Sequence, residues 1–185
     1  MSKLFVISGS SGVGKGTVIK QLLQKNDSIK LSISTTTRTP REGEINGVHY
    51  FFTTKEEFMK AVDNNEFVEW AEFSGNCYGT KKNFVENTLE NGQNVLLEID
   101  TQGALQIKEK MPEVILIFIA PPSLEELKKR LIGRGTESEE AIKKRLNCVE
   151  KEQENSKKYD YVVVNDTVEN AVLKLEEIFK KENNE

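Results

Sequence analysis

A short stretch near the start of the chain has residue types and spacing suited to phosphate chemistry. Gly9, Gly14 and Lys15 follow the apolar run Leu4–Ser8 and fit the pattern G-x-x-x-x-G-K. Glycines allow successive backbone N–H groups to point into one concavity, and a helix that follows adds the positive end of its dipole. Lys15 would bring its charge to the outer phosphates of a bound nucleotide. The alternative is a glycine-rich turn kept for steric reasons alone.

The residue after the lysine departs from the usual motif. A Ser or Thr normally stands there and brings its hydroxyl to Mg²⁺, but this chain has Gly16, with Thr17 one position later. We therefore assign no side chain as a direct metal ligand. We expect Thr17 to contact phosphate instead, and Mg²⁺ to be held mainly by phosphates and water.

The composition limits the class of protein. The chain has 185 residues, enough for one domain with a sizeable core, and no apolar run long enough to cross a membrane. Residues 1–3 lead directly into the first predicted strand, so we expect no signal peptide. Cys77 and Cys148 lack metal-ligand spacing and are expected to be reduced thiols in a cytoplasmic protein. The single histidine, His49, disfavours a histidine metal site or a Ser-His-Asp triad.

Positive charge is concentrated locally in an acidic chain. The net charge is −4, and a nucleic-acid binder is more often basic, so we expect neither nucleic acid nor a membrane as partner. Arginine has a planar fork that matches phosphate oxygens, and its few occurrences fall in two short segments. The five arginines are Arg38, Arg41, Arg130, Arg134 and Arg145. Two such clusters and a phosphate loop indicate more than one phosphate group to hold.

Predicted strands and helices alternate along the chain. Continuous apolar strands, typical of a parallel sheet covered by helices on both faces, are predicted at Leu4–Ser8, Val95–Ile99, Val114–Ala120 and Tyr161–Val164. A short strand is predicted at Lys30–Ser34. Residues 34–81 contain shorter, alternating strands, among them Val48–Thr53, and are expected to form a small inserted sheet. A loop is predicted over Thr35–Gly47 and a fraying tail over Lys180–Glu185. Helices are predicted at Gly16–Lys25, Lys55–Asn64, Lys82–Glu90, Thr101–Lys110, from Ser123 to Leu131, from Thr136 to about Lys157, and from Thr167 to about Lys181.

Further motifs follow the phosphate loop in a fixed order. They are Ser34-Thr-Thr-Thr-Arg38-Thr-Pro-Arg41-Glu-Gly43, Gly47-Val-His-Tyr50, Glu69-Trp-Ala-Glu72, Tyr78-Gly79-Thr80, Glu98-Ile-Asp100-Thr-Gln-Gly103, Ala120-Pro-Pro-Ser, Gly133-Arg-Gly-Thr and Val164-Asn-Asp. This set closely resembles the guanylate kinases over nearly the whole chain. The resemblance implies an ATP-dependent kinase that converts GMP, and dGMP as well, to GDP with Mg²⁺. We expect a monomer or a weak homodimer.

The resemblance also implies a fold and its division. The fold would be a three-layer α/β phosphate-loop fold with a central parallel sheet, an inserted α+β lobe that binds GMP, and a helical lid. The core would comprise residues 1–33, 82–125 and 158–185, the insertion residues 34–81, and the lid residues 126–157.

The chemistry of GMP suits several of these residues. Arg38 and Arg41 are three residues apart and can clamp one phosphate, with help from the hydroxyls of Tyr50 and Tyr78. Guanine presents two adjacent donors, N1–H and N2–H₂, which one carboxylate can accept together. Adenine has no such pair, so a buried carboxylate would discriminate by about 10⁴-fold or more. The resemblance implies Glu69 for this carboxylate.

The resemblance implies further acceptor-site residues. The predicted set is Ser34, Arg38, Arg41, Tyr50, Glu69, Tyr78, Thr80, Glu98 and Asp100. Glu98 stands where the family usually has Asp, so its contact with guanine or with metal-bound water is expected to differ, and Asp100 ranks above it. Structural alternatives stay open: Tyr50 and Tyr78 as core aromatics, Glu69 as an exposed strand residue, and Ser34 as a loop cap. His49 and Trp70 are interpreted as structural.

The donor site is predicted from the loop, the resemblance and the arginines of the lid. Its residues are Gly9, Ser10, Ser11, Gly12, Val13, Gly14, Lys15, Gly16, Thr17, Arg130, Arg134, Asn165 and Asp166. Lys15, Arg38, Arg134 and Arg145 are predicted to act on the transferring phosphoryl group. Arg130 contacts either adenine or a nearby glutamate, and Asn165 and Asp166 contact either adenine or the start of the last helix.

Two other functions remain open. One is a non-catalytic guanylate-kinase-like module that binds phosphopeptides, and the other is a kinase for a different nucleoside monophosphate. The first would keep Arg38, Arg41 and Tyr50 but lose the loop glycines and Lys15, which this chain retains.

Overall fold

The apolar run Leu4–Gly9 is the central strand of a five-stranded parallel sheet, and all of its residues are buried. The computed structural model describes residues 2–10, 12–133, 149, 152 and 154–184. Within them, no helix is both long enough and apolar enough to cross a bilayer. The predicted α/β fold with a central parallel sheet is confirmed.

The elements are numbered in chain order through the described residues. The strands are β1 (Leu4–Gly9), β2 (Ile29–Leu31), β3 (Thr35–Thr36), β4 (Phe51–Phe52), β5 (Phe67–Phe73), β6 (Asn76–Lys81), β7 (Asn94–Glu98), β8 (Ile115–Ala120) and β9 (Tyr161–Val164). The helices are α1 (Lys15–Lys25), α2 (Lys55–Asp63), α3 (Lys82–Glu90), α4 (Thr101–Lys110), α5 (Leu124–Gly133) and α6 (Val168–Asn184).

The central sheet has the strand order β2-β7-β1-β8-β9. Successive residues of a strand point to opposite faces, so β1 contributes to a separate core on each side. Phe5 and Ile7 pack with α1 and α6, where the Phe5 and Phe179 rings lie 4.1 Å apart. Leu4 and Val6 pack on the other face, with α3 and α4. Burial on both faces explains why these strands are apolar throughout.

The second sheet lies within residues 35–81 and has the order β4-β3-β6-β5. β3 pairs with β4 in parallel, whereas the β3–β6 and β5–β6 pairs are antiparallel. Helix α2 begins at a capping box between Thr54 and Glu57 and places Phe58 against this sheet. The Phe58 ring stacks on Phe67 at 4.6 Å and meets Trp70 edge-on at 6.2 Å, so the structural interpretation of Trp70 is confirmed.

The structure corrects the predicted boundaries between residues 30 and 53. The predicted loop over Thr35–Gly47 is wrong at its start, because Thr35 and Thr36 form β3 and pair with strands distant in sequence. The predicted strand Val48–Thr53 is reduced to β4. Val48 and His49 instead form a turn in which their N–H groups donate to the Ile45 carbonyl.

The predicted fraying of Lys180–Glu185 is wrong for the described residues, because α6 continues to Asn184. Glu182 accepts a 3.1 Å hydrogen bond from Lys3 and another from the Tyr161 hydroxyl. Asn183 accepts from Asn94 at 3.1 Å. Polar side chains at the end of α6 are therefore hydrogen-bonded to residues where β1, β7 and β9 begin. Local composition does not reveal these contacts.

Candidate active site

A cleft of about 370 Å³ opens where β1 and β7 end, between the central sheet and the second sheet. Ligands of parallel sheets collect at this edge. The predicted site residues that line the cleft are Gly9, Lys15, Ser34, Tyr50, Glu69, Tyr78, Glu98 and Asp100. Residues from the two sheets and from the phosphate loop thus meet in one space.

The phosphate loop forms a second concavity of about 260 Å³ beside the cleft, lined by residues 12–17 and Glu98. Gly14 caps α1 at φ 92°, a left-handed conformation that favours glycine. Gly9 passes so close to β8 that a Cβ there would overlap the Ile119 carbonyl oxygen. Lys15 and Glu98 line both spaces, so the loop opens toward the larger cleft.

Lys15 points back across the mouth of the loop. Its Nζ donates a 2.8 Å hydrogen bond to the Gly9 carbonyl oxygen. Burial lowers the pKa of Lys15, while the carboxylates of Glu98, Glu152 and Asp100 oppose this shift. Burial also raises the pKa of Glu98, whereas the charge of Lys15 lowers it. A bound phosphate would offer this ammonium group stronger acceptors than a carbonyl.

The sequence departure at Gly16 is not forced by crowding. A Cβ built at this position would meet no atom within 4 Å, and Gly16 and Thr17 are both exposed at the loop. Oxygen ligands suit a hard cation such as Mg²⁺, and the carboxylate of Glu98 lies on the rim of the loop cavity. Within the described part of the chain, no group of three potential ligands forms a metal site made by protein alone.

Glu69 is the buried carboxylate of the cleft. Only 4% of its surface is exposed, so the exposed-strand alternative is wrong. β5 and β6 pair in a register that places Thr80 beside it, and the Thr80 hydroxyl donates a 2.7 Å hydrogen bond to Oε1. Burial, reinforced by the Asp100 carboxylate, raises the pKa of Glu69 to about 7 despite the Thr80 hydrogen bond. Ser34 is half-buried and also faces the cleft.

Arg38 and Arg41 are not among the residues that line the cleft, although Arg38 contacts Tyr50, which does line it, and Arg41 is exposed. Glu44 contacts both arginines. Arg38 Nη2 donates to Glu44 Oε1 at 2.7 Å, and the Arg41 backbone N–H donates to Oε2 at 2.7 Å. The hydrogen bond from Arg38 is the main reason that the pKa of Glu44 falls to about 2. No role was predicted for Glu44, although a carboxylate three residues after Arg41 was an available signal.

Two tyrosines line the cleft, and one of them contacts Arg38. Tyr50 and Tyr78 are half-buried, with their rings 6.2 Å apart edge-on, so the core alternative for them is wrong. The Arg38 guanidinium carbon lies 5.3 Å from the centre of the Tyr50 ring, within cation–π range. His49 also lines the cleft, but its Nδ1 accepts a 3.0 Å hydrogen bond from the Ile45 N–H, consistent with a structural role.

Asn165 and Asp166 follow β9 and take different places. Asn165 is 3% exposed and donates from Nδ2 to the Val13 carbonyl at 2.7 Å, so it supports the phosphate loop. Asp166 accepts from the Thr167 N–H at 2.8 Å, while the Thr167 hydroxyl accepts from the Asn170 N–H at 3.2 Å. Asp166 and Thr167 thus lie at the start of α6, and contact with adenine stays a prediction.

Several further residues complete the comparison with the predicted site. Asp100 caps α4 by accepting from the Gly103 N–H at 2.8 Å, and it also faces the cleft. Glu152 lines the cleft, although no sequence motif marked it. Ser10 is fully buried in the loop. Ser11, Arg134 and Arg145, the side chain of Arg130 and most of the predicted lid lie outside the described residues.

A phosphate loop at the end of the central strand, facing a polar lobe across a cleft, defines the class: a phosphate-loop protein built to hold nucleotides. The family model described as guanylate kinase matches residues 1–182. The chain belongs to the guanylate kinase family, and the resemblance seen in its motifs is confirmed.

Individual proteins agree with the family model. The guanylate kinase of Clostridioides difficile (strain 630) is 52% identical over 181 residues, covering 98% of this chain and 88% of the relative. The guanylate kinase of Oceanobacillus iheyensis is 53% identical over 179 residues, covering 97% and 87%. The crystal structure of guanylate kinase from Anaplasma phagocytophilum is similar with a TM-score of 0.81 and 35% identity, covering 98% of this chain and 86% of that one.

Proposed function

We propose that this chain transfers the γ-phosphoryl group of ATP to GMP, giving ADP and GDP, and accepts dGMP as well. The observation that carries the proposal is that Lys15 of the phosphate loop and the buried carboxylate of Glu69 face one cleft. One end of the cleft suits a triphosphate and the other suits a guanine base. The family membership of the chain supports the same reaction.

The donor is held by the loop. Its backbone N–H groups and the start of α1 bind phosphate oxygens, and Lys15 exchanges the Gly9 carbonyl for the outer phosphates. Arg134 and Arg145 are expected to close on the transferring group from the lid. Phosphoryl transfer requires positioning, charge neutralisation and exclusion of water. It needs no strong general base here, because the acceptor oxygen of GMP is already anionic.

The acceptor is held by the second sheet and its loop. The ionised carboxylate of Glu69 accepts N1–H and N2–H₂ of guanine, while Thr80 anchors Oε1 from behind. Arg38 and Arg41 clamp the monophosphate together with Tyr50 and Tyr78. dGMP carries the same base and phosphate, so these contacts serve it equally.

Mg²⁺ is expected to enter with ATP and to neutralise phosphate charge when bound. Phosphate oxygens and water would provide most of its ligands, because Gly16 has no hydroxyl. Glu98, on the rim of the loop cavity, and Asp100, in the cleft, would accept hydrogen bonds from its water ligands. Thr17 would contact phosphate.

The proposal extends to the organisation of the molecule. The predicted division into a core, a GMP-binding insertion over residues 34–81 and a lid is supported by the confinement of the second sheet to residues 35–81. The proposal also places the chain in the cytoplasm, as a monomer or a weak homodimer. The buried free thiol of Cys77 is compatible with a reducing compartment.

A panel of acceptors tests the proposed reaction. ADP formation from ATP and Mg²⁺ would be measured at steady state with GMP, dGMP, AMP, UMP and TMP. We expect turnover with GMP and dGMP and at least about 10⁴-fold lower kcat/KM with AMP. Preference for another monophosphate would contradict the guanine assignment. Absence of turnover with every acceptor, together with retained phosphopeptide binding, would favour the non-catalytic module.

A further inference from the structure

The first turn of α4 lies directly against the buried carboxylate of the cleft. A Cβ built with ideal geometry on Gly103 would lie 2.6 Å from Glu69 Oε2 and 3.4 Å from Glu69 Cδ. It would also lie 3.3 Å from Ile99 Cδ1. Carbon and oxygen atoms do not pack at 2.6 Å, so Glu69 can keep its position only when residue 103 has no side chain.

The backbone at residue 103 gives no other reason for glycine. Gly103 lies inside α4, and its φ is not in the left-handed region that favours glycine. Alanine has a higher helix propensity than glycine at such a position. The Gly103 N–H donates to Asp100, and an alanine would retain that donor. The close approach of side chains therefore remains as the reason, and Glu69 Oε2 is nearer than Ile99 Cδ1.

Glu69 is held on both sides. The Thr80 hydroxyl binds Oε1 from β6 at 2.7 Å, while Oε2 faces Gly103 of α4. Helix and strand are also tied together, because Lys110 of α4 donates to the Val68 carbonyl of β5 at 3.1 Å. An added methyl group would consequently displace the end of the Glu69 side chain before it separated α4 from β5.

We infer that Gly103 is a positioning residue for guanine specificity, because its missing side chain makes the space in which both oxygens of Glu69 face the base. This inference rests on the proposed function. One carboxylate must meet N1–H and N2–H₂ together, and a small displacement breaks the paired contact. The carboxylate lies at the end of a flexible side chain, so the fold should tolerate its displacement. Recognition of guanine should not tolerate it.

The substitution Gly103→Ala tests the inference with two acceptors. GMP offers both N–H groups, whereas inosine 5′-monophosphate (IMP) lacks the 2-amino group. We expect kcat/KM for GMP to fall about 10-fold or more, with a smaller fall for IMP, so that the GMP-to-IMP ratio moves toward one. KM for ATP should be unchanged. Glu109→Ala, at an exposed position of α4, is the matched control and should leave the ratio unchanged.

A double-mutant cycle separates positioning from a general structural effect. In a Glu69→Ala background the carboxylate that the added methyl group would displace is absent, and only the 3.3 Å contact with Ile99 remains, so Gly103→Ala should have no further effect on the GMP-to-IMP ratio. An unchanged ratio in Gly103→Ala alone, an equal loss for both acceptors, or additive losses in the cycle would overturn the inference. If Gly103→Ala does not fold, circular dichroism of the double variant decides: a folded double variant supports crowding by Glu69, and an unfolded one refutes it.

The wild-type protein keeps this test distinct from that of the proposed function. A wild-type protein inactive on GMP would refute the proposed reaction. A wild-type protein active on GMP with an indifferent Gly103→Ala variant would refute only the positioning role.

Discussion

The hydroxyl of Thr80 donates a 2.7 Å hydrogen bond to Oε1 of Glu69, a carboxylate with 4% of its surface exposed. The hydrogen bonds that Thr80 provides do not replace all the water that a carboxylate loses on burial. The pKa of Glu69 is accordingly raised to about 7, although Thr80 acts to lower it. A buried acceptor that is only partly satisfied is suited to a ligand that brings further N–H donors.

GMP binding should therefore depend on pH near neutrality. Two N–H donors require an ionised carboxylate, so the Kd and KM for GMP should rise as the pH falls below about 7, the pKa of Glu69. Calorimetric titration with GMP between pH 5.5 and 8.5 would measure this, alongside titration with ATP as the control. A Kd for GMP that is flat over this range would contradict the role of Glu69.

The same pKa predicts a stability effect of the opposite sign to that of a salt-bridged carboxylate. Because the folded pKa of about 7 lies above the unfolded value of 4.5, the folded chain retains a proton that the unfolded chain has lost between these pH values. Ionisation of Glu69 therefore reduces stability as the pH rises through this window. Above pH 7 the ionisation of Glu69 lowers the free energy of unfolding by on the order of 3 kcal/mol.

Glu69→Gln removes this ionisation and should stabilise the ligand-free protein at pH 8. The difference in free energy of unfolding between the variant and the wild type should be nearly absent at pH 4.5 and grow toward pH 8, because only the wild type is destabilised by ionisation of residue 69. Urea unfolding of both proteins at several pH values would measure the difference. Parallel curves with no growing gap would show that Glu69 is not a destabilised carboxylate.

Lys15→Ala should remove turnover and retain the fold. The ammonium group is the cation that the phosphate loop brings to the cleft, so kcat should fall about 10²-fold or more. The lost hydrogen bond to Gly9 costs about 1 kcal/mol, so the Tm should change little. Lys20→Ala, at an exposed position of α1, is the control. A Lys15→Ala enzyme with near-normal kcat would remove the lysine from the mechanism.

Glu44→Ala should weaken the monophosphate clamp. Glu44 holds the Arg38 guanidinium and the Arg41 backbone in one loop, and its loss frees Arg38 from that geometry. We expect KM for GMP to rise about 10-fold with KM for ATP unchanged. Steady-state kinetics with Glu42→Ala, an exposed neighbour, provides the comparison. Equal increases in both KM values would indicate a general disturbance rather than a role in the clamp.

The phosphate loop and the central sheet were accessible from sequence because each depends on short-range patterns. Spacing between Gly9 and Lys15 specifies a loop between a strand and a helix, and continuous apolar runs specify strands buried on both faces. The two-residue strand Thr35–Thr36 was missed, because its partners lie elsewhere in the chain and pairing, rather than propensity, forms it. The ordered end of α6 was missed for the same reason.

The family, the parallel core and the residue types of the site could be predicted from the sequence, since these follow from local spacing and from motifs in order. Which polar groups lose water on folding, and which atoms they then contact, depends on how the helices and strands pack. Glu69 is buried because β5 packs on α4, where Gly103 admits its carboxylate, and Asn165 supports the phosphate loop because β9 ends beside it. Burial and proximity arise from segments far apart along the chain, so no local pattern contains them.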